Sequence, residues 1–128
     1  MFISFSLLVL LVLLFFWTKG GRSNSAKHPA VHSIDAYTLA EKIRADTTIQ
    51  LVDVRTPLEY RRGFIKPAVN INFLGINFVD QFSSYDKQKP LYLYCRSGSR
   101  SYKAAQLLAK AGFTEIYDLR EGIIKWNQ

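Results

Sequence analysis

The stretch Tyr94–Leu108, "YCRSGSRSYKAAQLL", contains the single cysteine of this 128-residue chain. Cys95 follows an apolar run, and two serines around a glycine, with Arg96 and Arg100 on either side, come next. Residues 101–111 have apolar side chains at helical spacing and stop before a glycine, which is a common helix end. The stretch therefore predicts a strand, a short loop that begins at the cysteine, and a helix.

Strand-like and helical segments alternate on both sides of this stretch. Short apolar or β-branched runs predict strands at 31–34, 49–54, 68–71, 90–94 and 115–118. Helices are predicted after Asp35, from Thr56 to Gly63, over 77–82 and 101–111, with a last helical turn or two over 121–126. This alternation predicts an α/β fold with a mainly parallel five-stranded sheet flanked by helices. Ligands of such sheets bind at the carboxyl ends of strands, where Cys95 is expected to lie.

The surroundings of Cys95 favour its reactive thiolate form. A helix amino terminus and nearby arginines both stabilise a thiolate. Gly98, between Ser97 and Ser99, lets the loop curl so that its N–H groups point inward and form an anion-binding nest. A cysteine that serves only as a small buried apolar residue has no need of such neighbours. The residues thus predict a reactive thiol beneath an anion-binding loop over 96–100.

Three separated stretches resemble the signatures of the single-domain rhodaneses, a family of sulfurtransferases. Leu51–Ile71, "LVDVRTPLEYRRGFIKPAVNI", is similar to the first signature of that family. Tyr94–Ser101, "YCRSGSRS", is similar to its active-site loop, and Leu119–Trp126, "LREGIIKW", to its closing segment. The resemblance extends over residues 31–127 and implies a rhodanese-like domain over residues 31–128.

The resemblance implies a two-step sulfur transfer. The Cys95 thiolate would attack the outer sulfur of a small anionic donor such as thiosulfate, release sulfite and become a persulfide. Cyanide, a thiol or a protein acceptor would then remove that sulfur. Arg96 would attract the donor, Arg100 would organise the loop, and the rest of the loop would bind the sulfur: Ser97, Gly98 and Ser99. The family's chemistry implies no metal and no cofactor.

Asp53 and Arg55 belong to the first of the three stretches and are predicted to support the active-site loop. Two interpretations are open. Asp53 could orient the loop directly from the end of its strand, or the two residues could form a buried ion pair that holds neighbouring loops together. We favour the ion pair.

Two other functions compete with sulfur transfer. Cysteine phosphatases and arsenate reductases also have a thiolate loop that ends in arginine, but five residues separate the two, whereas four separate Cys95 from Arg100. The shorter loop suits a single sulfur atom better than a tetrahedral phosphate. The second alternative is a rhodanese-like module at a membrane that binds a partner or carries a persulfide without turnover of its own.

The first part of the chain differs from the rest in composition. Residues 2–17 carry no charged side chain, and residues 7–17 are apolar throughout. We predict a hydrophobic helix, about 26 Å long, over residues 1–18 as a retained single-pass membrane anchor or a cleaved secretory signal, and a linker over 19–30. Basic residues follow this segment, which favours a cytoplasmic domain, whereas action as a signal would export it.

The formal net charge is +7. Three of these positive charges lie before residue 30, next to the apolar segment, and no acidic residue does. The remaining residues are mildly basic, with no run of five basic residues and no alternation of basic and aromatic side chains. Nucleic acid is therefore not an expected partner.

Overall fold

The computed structural model describes residues 26–128, which form an α/β domain. Five strands lie in one sheet: β1 (Val31–Ile34), β2 (Gln50–Asp53), β3 (Val69–Asn70), β4 (Leu91–Tyr94) and β5 (Ile116–Leu119). Three α-helices connect them: α1 (Ala36–Ala45), α2 (Pro57–Arg61) and α3 (Ser99–Lys110). Two 3₁₀ turns complete the described part of the chain, at Val79–Phe82 and Ile123–Lys125.

The strand order is β1-β5-β4-β2-β3, and each neighbouring pair is parallel. The prediction of a mainly parallel sheet is therefore confirmed, and within residues 26–128 the sheet is entirely parallel. β4 lies in the middle of this order, between β2 and β5. The loop that follows β4 is consequently bordered by the loops that follow its two neighbours.

The two faces of the sheet have separate apolar cores. One core packs under α3 and includes Leu93, Cys95 and Leu108, together with aromatic side chains of residues 78–113. The other packs under α1 and includes Leu39 and Tyr94. Cys95 and Tyr94 lie on opposite faces because successive side chains of a strand alternate.

Helix α3 begins earlier than the sequence predicts. The predicted start was Ser101, but the helix begins at Ser99, with Gly98 as the residue before its first turn. Gly98 has a φ of 100°, a left-handed conformation that turns the chain directly into the helix. Ser99 and Arg100 are thus residues of the first helical turn, and the free loop is correspondingly shorter.

Two other predicted helices are 3₁₀ turns. The segment predicted over 77–82 is helical only at Val79–Phe82, and the one predicted over 121–126 only at Ile123–Lys125. Helix α2 does begin at the predicted cap. Thr56 and Glu59 form a reciprocal capping box around Pro57.

The predicted hydrophobic helix over residues 1–18, and most of the linker over 19–30, lie outside the described residues. Over residues 26–128, no helix combines the length and the apolar composition that crossing a membrane requires.

Burial of α3 against the sheet predicts a large difference between two adjacent leucines. Leu108 is fully buried, whereas Leu107 is 43% exposed. We expect Leu108→Ala to lower the free energy of unfolding by about 2–5 kcal/mol, through lost apolar contact and a residual cavity. Leu107→Ala, the matched control in the same helix, is expected to change it by about 0.5 kcal/mol or less. Urea unfolding followed by circular dichroism measures both, and equal losses would contradict the packing described here.

Candidate active site

Cys95 lies directly after β4, at the carboxyl edge of the sheet and beneath the start of α3. The residue is 1% exposed. Its Sγ accepts a hydrogen bond from the backbone N–H of Gly98 at 3.1 Å and one from the hydroxyl of Ser101 at 3.4 Å. The first amides of α3 have no acceptor within the helix, so the thiol faces partial positive charge. Hydrogen-bond donors are therefore already in place for a sulfur anion at Sγ.

Gly98 is held in its left-handed conformation by close backbone packing. A Cβ atom at this position would overlap the carbonyl oxygen of Arg120, and the φ of 100° is itself unfavourable for other residues. The position therefore requires glycine for two independent reasons. The turn that it makes brings its own N–H onto Sγ of Cys95.

The chain segment after β5 closes the loop from the other side. The N–H of Ile123 donates to the carbonyl oxygen of Cys95 at 2.9 Å, and that of Ile124 donates to the carbonyl oxygen of Arg96 at 3.1 Å. Gly122 packs so closely that a Cβ there would overlap the Arg96 carbonyl. The last of the three quoted stretches is thus a backbone support for the cysteine loop.

Arg100 is held by an ion pair with Glu59. Its Nη1 and Nη2 atoms donate to the two carboxylate oxygens at 2.7 and 3.0 Å, and both side chains are about one quarter exposed. The hydrogen bond from Arg100 lowers the pKa of Glu59 to about 2. The guanidinium therefore links α3 to α2, a placement suited to organising the loop.

Arg96, Ser97 and Ser99 are exposed, in contrast to Cys95 and Gly98. Arg96 is fixed through its backbone carbonyl, while its side chain lies at the surface. An exposed guanidinium next to the buried thiol can meet an anionic molecule as it approaches.

Asp53 and Arg55 form a buried ion pair at the end of β2. Nε of Arg55 lies 3.0 Å from both carboxylate oxygens of Asp53, and Nη2 lies 2.7 Å from one of them. Nη2 also donates to the carbonyl oxygen of Gly63 at 2.6 Å, and the guanidinium lies 5.8 Å from the ring centre of Tyr94. The pair thus joins the loop after β2 to the chain that follows α2, and neither of its residues contacts Sγ of Cys95 directly.

Three residues at the site were not predicted as site residues. The Ser101 hydroxyl contacts Sγ, Glu59 binds Arg100, and Gly122 borders the loop. Ser101 was part of the quoted loop stretch, but its type and position also suited an ordinary helix start. Glu59 had a sufficient local explanation as the partner of Thr56 in the capping box. Sequence spacing gave no sign of its second partner, 41 residues away.

Together, the parallel sheet and the loop at Cys95 define a rhodanese-like α/β domain. The rhodanese-like domain family matches residues 35–128, and the chain belongs to that family. It is 35% identical over 96 residues to a sulfurtransferase of Allochromatium vinosum, covering 75% of this chain and 88% of that protein. It is 30% identical over 105 residues to the thiosulfate sulfurtransferase GlpE of Shewanella oneidensis, covering 82% of this chain and 96% of that protein.

Solved structures show the same fold. The crystal structure of a rhodanese-like domain protein from Staphylococcus aureus matches with a TM-score of 0.67 and 29% identity. The match covers 75% of this chain and 91% of that one.

The pairing of Glu59 with Arg100 predicts a pH-dependent contribution to stability. Because the pKa of Glu59 falls from 4.5 to about 2 on folding, the stabilisation is fully present above pH 4.5 and is lost as the pH falls towards 2. We expect Glu59→Gln to lower the free energy of unfolding by about 1–2 kcal/mol at pH 7, after allowance for solvent screening. The difference from the unsubstituted protein should shrink steadily below pH 4.5.

The matched control is Glu41→Gln, which removes the partner of Arg44 from an ion pair whose side chains are more than half exposed. Little change is expected there at any pH, because exposed pairs are screened by water. Unfolding by urea at several pH values measures both variants. A pH-independent loss for Glu59→Gln would show that the capping box, and not the pair with Arg100, accounts for its effect.

Proposed function

We propose that the protein is a sulfurtransferase that carries a sulfane sulfur on Cys95 as a persulfide. The observation that supports this most directly is the contact of Sγ with the Gly98 amide at 3.1 Å, beneath the unpaired amides of α3. A sulfur atom bound to Sγ would extend towards these donors. The family membership and the sulfurtransferases among the relatives agree with this chemistry.

The first half-reaction is attack by the Cys95 thiolate on the outer sulfur of the donor. With thiosulfate, the new S–S bond forms at Sγ while the bond between the two sulfur atoms of the donor breaks, and sulfite leaves with the bonding pair. The negative charge moves from Sγ to the terminal sulfur of the persulfide. The first amides of α3 can stabilise that charge because they have no acceptor within the helix.

The second half-reaction regenerates the thiolate. A nucleophile such as cyanide or a thiol attacks the terminal sulfur, the persulfide bond breaks, and the bonding pair returns to Sγ. The hydrogen bonds from Gly98 and Ser101 to Sγ then stabilise the thiolate as the leaving group. The protein thereby divides one transfer into two displacements at the same sulfur atom.

The donor proposed is a small sulfur-containing anion of the thiosulfate type. Arg96 is exposed beside the thiol and offers a charge to such an anion, whereas Arg100 is already paired with Glu59. One relative, GlpE of Shewanella oneidensis, is a thiosulfate sulfurtransferase by name. A protein thiol is a chemically equivalent acceptor to a small thiol.

The function predicts a covalent intermediate on one residue. After treatment with thiosulfate, the intact protein is expected to be heavier by one sulfur atom, because Cys95 is the single cysteine. Cyanide should remove the added mass and yield thiocyanate. Cys95→Ser, treated in the same way, should gain nothing, and intact-mass spectrometry under denaturing conditions measures all three states.

Other results point to other functions. If thiosulfate adds no mass but polysulfide or mercaptopyruvate does, the donor class is wrong and the persulfide chemistry stands. A stable adduct that neither cyanide nor thiols discharge would favour a carrier or binding module. Loading by no donor, together with hydrolysis of a phosphate ester that depends on Cys95, would replace sulfur transfer with phosphatase chemistry.

We also propose that residues 2–18 attach the domain to a membrane, with the domain on the cytoplasmic side. The support is the uncharged composition of residues 2–17 and the basic residues that follow, Lys19, Arg22 and Lys27.

The anchor predicts that the full chain stays with membranes after alkaline carbonate washing, and that a chain starting at residue 26 does not. Protection of the domain from external protease in intact cells would agree with the cytoplasmic side. Digestion there would place it outside, and a full chain shortened before Ala26 would indicate a cleaved signal.

A further inference from the structure

Four exposed apolar side chains lie at the carboxyl edge of the sheet, where the Cys95 loop also lies. Leu58 follows β2, Leu74 and Ile76 follow β3, and Ile124 follows β5. Leu74 is 67% exposed and Ile76 is 88% exposed. A single exposed leucine is ordinary, but several at one edge of a domain indicate an interaction surface. These four side chains are called the apolar collar below.

Two members of the collar are fixed beside the cysteine loop. The amide of Ile124 donates to the carbonyl oxygen of Arg96 at 3.1 Å. Leu58 lies next to Glu59, which binds Arg100 in the first turn of α3. Because β4 lies between β5 and β2, these two collar residues lie on opposite sides of the cysteine.

The other two members lie in a short loop whose backbone is held by hydrogen bonds. The carboxamide oxygen of Asn72 accepts from the amide of Leu74 at 3.1 Å. The amide of Phe73 donates to the carbonyl oxygen of Val54 at 3.0 Å, which attaches this loop to the chain directly after β2. A partner that binds Leu74 and Ile76 therefore has little backbone to order, which lowers the entropy cost of binding.

A small anionic donor does not account for the collar. Neighbouring strands lie about 4.8 Å apart, so about 14 Å separates the segments after β5 and β3, with the loop after β4 between them. A thiosulfate-sized anion at Sγ of Cys95 covers only a fraction of that width and has no apolar surface. A patch of this width fits within the area of about 800 Å² that each partner contributes to a standard protein complex.

The charges around the collar are mainly positive. In the segments that leave the carboxyl ends of the strands, six basic and two acidic side chains are exposed. The basic ones are Arg61, Arg62, Lys66, Arg96, Arg120 and Lys125, and the acidic ones are Asp35 and Glu121. None of these eight forms an ion pair within residues 26–128. The collar is therefore complementary to a partner surface that is apolar and acidic.

The point where the chain enters the domain distinguishes between the candidate partners. The carbonyl oxygen of Ala30 accepts from the amide of Ile116, the first residue of β5, at 2.8 Å, so the chain enters at the amino edge of the sheet. A membrane tether over residues 2–18 would lead to this edge, which is opposite to the collar. A second copy of the chain would bring like charges against each other. A separate protein in solution fits both observations.

We propose that the acceptor of the Cys95 sulfur is a cysteine of a soluble protein with an apolar and acidic surface, and that the apolar collar binds this protein. The inference rests on the proposed function for its chemistry. The acceptor thiol gives its proton to water, and the thiolate attacks the terminal sulfur of the persulfide. The bond from that sulfur to Sγ breaks, its electron pair returns to Sγ, and the acceptor leaves as a persulfide. Because Cys95 is 1% exposed, the acceptor cysteine must protrude from its surface.

The test is the rate at which cysteine peptides discharge the persulfide of the full chain. Four peptides of equal length carry one cysteine, flanked by leucine or serine and by aspartate or lysine. Each rate is divided by the rate at which the same peptide reduces a small neutral disulfide, which removes differences in thiol reactivity. The leucine–aspartate peptide is expected to react about tenfold faster than the leucine–lysine peptide, and faster than the serine–aspartate peptide. Equal corrected rates would overturn the proposal.

The collar itself is tested by the double variant Leu74→Ser/Ile76→Ser. Both side chains are largely exposed, so the replacements are expected to leave the fold intact. The rate with the leucine–aspartate peptide, relative to the rate with cyanide, should fall about threefold or more. Leu107→Ser is the matched control, because Leu107 is exposed on α3 outside the collar, and it should keep the ratio of the unsubstituted protein. An unchanged ratio in the double variant contradicts the proposal.

A measurement without sulfur transfer separates this proposal from the proposed function. The methyl NMR signals of Ile76 and Ile124 in the unloaded full chain are expected to shift when the leucine–aspartate peptide, with serine in place of its cysteine, is added. Such shifts in a protein that takes sulfur from no donor would refute the proposed function while supporting the docking of an acidic, apolar partner. No shift, or a shift caused only by vesicles of anionic phospholipid, would rule out that docking. Self-association of the chain that the double variant abolishes would assign the collar to a second copy and overturn the proposal as well.

Discussion

The loop of the candidate active site depends on two backbone hydrogen bonds from the segment after β5. The amides of Ile123 and Ile124 donate to the carbonyl oxygens of Cys95 and Arg96, which fixes the backbone of the loop on that side. The chain can then turn at Gly98 with its amide towards Sγ. Because β4 and β5 are parallel neighbours in the sheet, the loop after β4 and the segment after β5 begin at the same edge and lie side by side. The sheet order is thus what makes an inward-facing set of amides possible.

Two ion pairs also hold together the chain segments around the loop. Arg55 and Arg100 are each bound by a carboxylate, Asp53 and Glu59, and each pair joins different segments of the chain. A guanidinium that pointed at Sγ would compete with the loop amides for an anion at that atom. Sγ is instead contacted by the Gly98 amide and the Ser101 hydroxyl, and the Arg96 side chain lies at the surface. The two pairs therefore set the loop geometry more than they supply positive charge to the reacting atoms.

Local sequence patterns were sufficient to predict the fold class. They did not predict the helix boundaries that depend on contacts between distant parts of the chain. The buried strands and α1 follow from apolar runs and a capping aspartate, which are local features. The start of α3 was placed two residues late, because its position is set by Gly98 packing on Arg120, a contact between distant parts of the chain. The segment predicted over 77–82 consists mostly of weak helix formers (Asn, Phe, Val and Asp), and it is helical only at Val79–Phe82, as a 3₁₀ turn.

In the candidate site, only the residues that are adjacent in the sequence could be predicted. Cys95 and its loop could be found because their residue types are adjacent in the sequence. Glu59 satisfied a local rule and so gave no sign of its pairing with Arg100. Leu58 and Ile124 belong to separate segments, and sequence alone did not indicate that they lie on either side of the Cys95 loop. Contacts between side chains of neighbouring strands can be predicted only when the strand order is known. The spacing of residues in the sequence does not give that order.

Sulfur transfer through a buried thiol imposes a problem of negative charge. In the proposed reaction, the thiolate, the anionic donor and the persulfide would each bring a negative charge to a thiol that is 1% exposed. Amide dipoles can stabilise each anion in turn without forming an ion pair that must later be broken. On this argument, the donors that bind best are those whose charge stays at the surface near Arg96 while their outer sulfur alone reaches the loop.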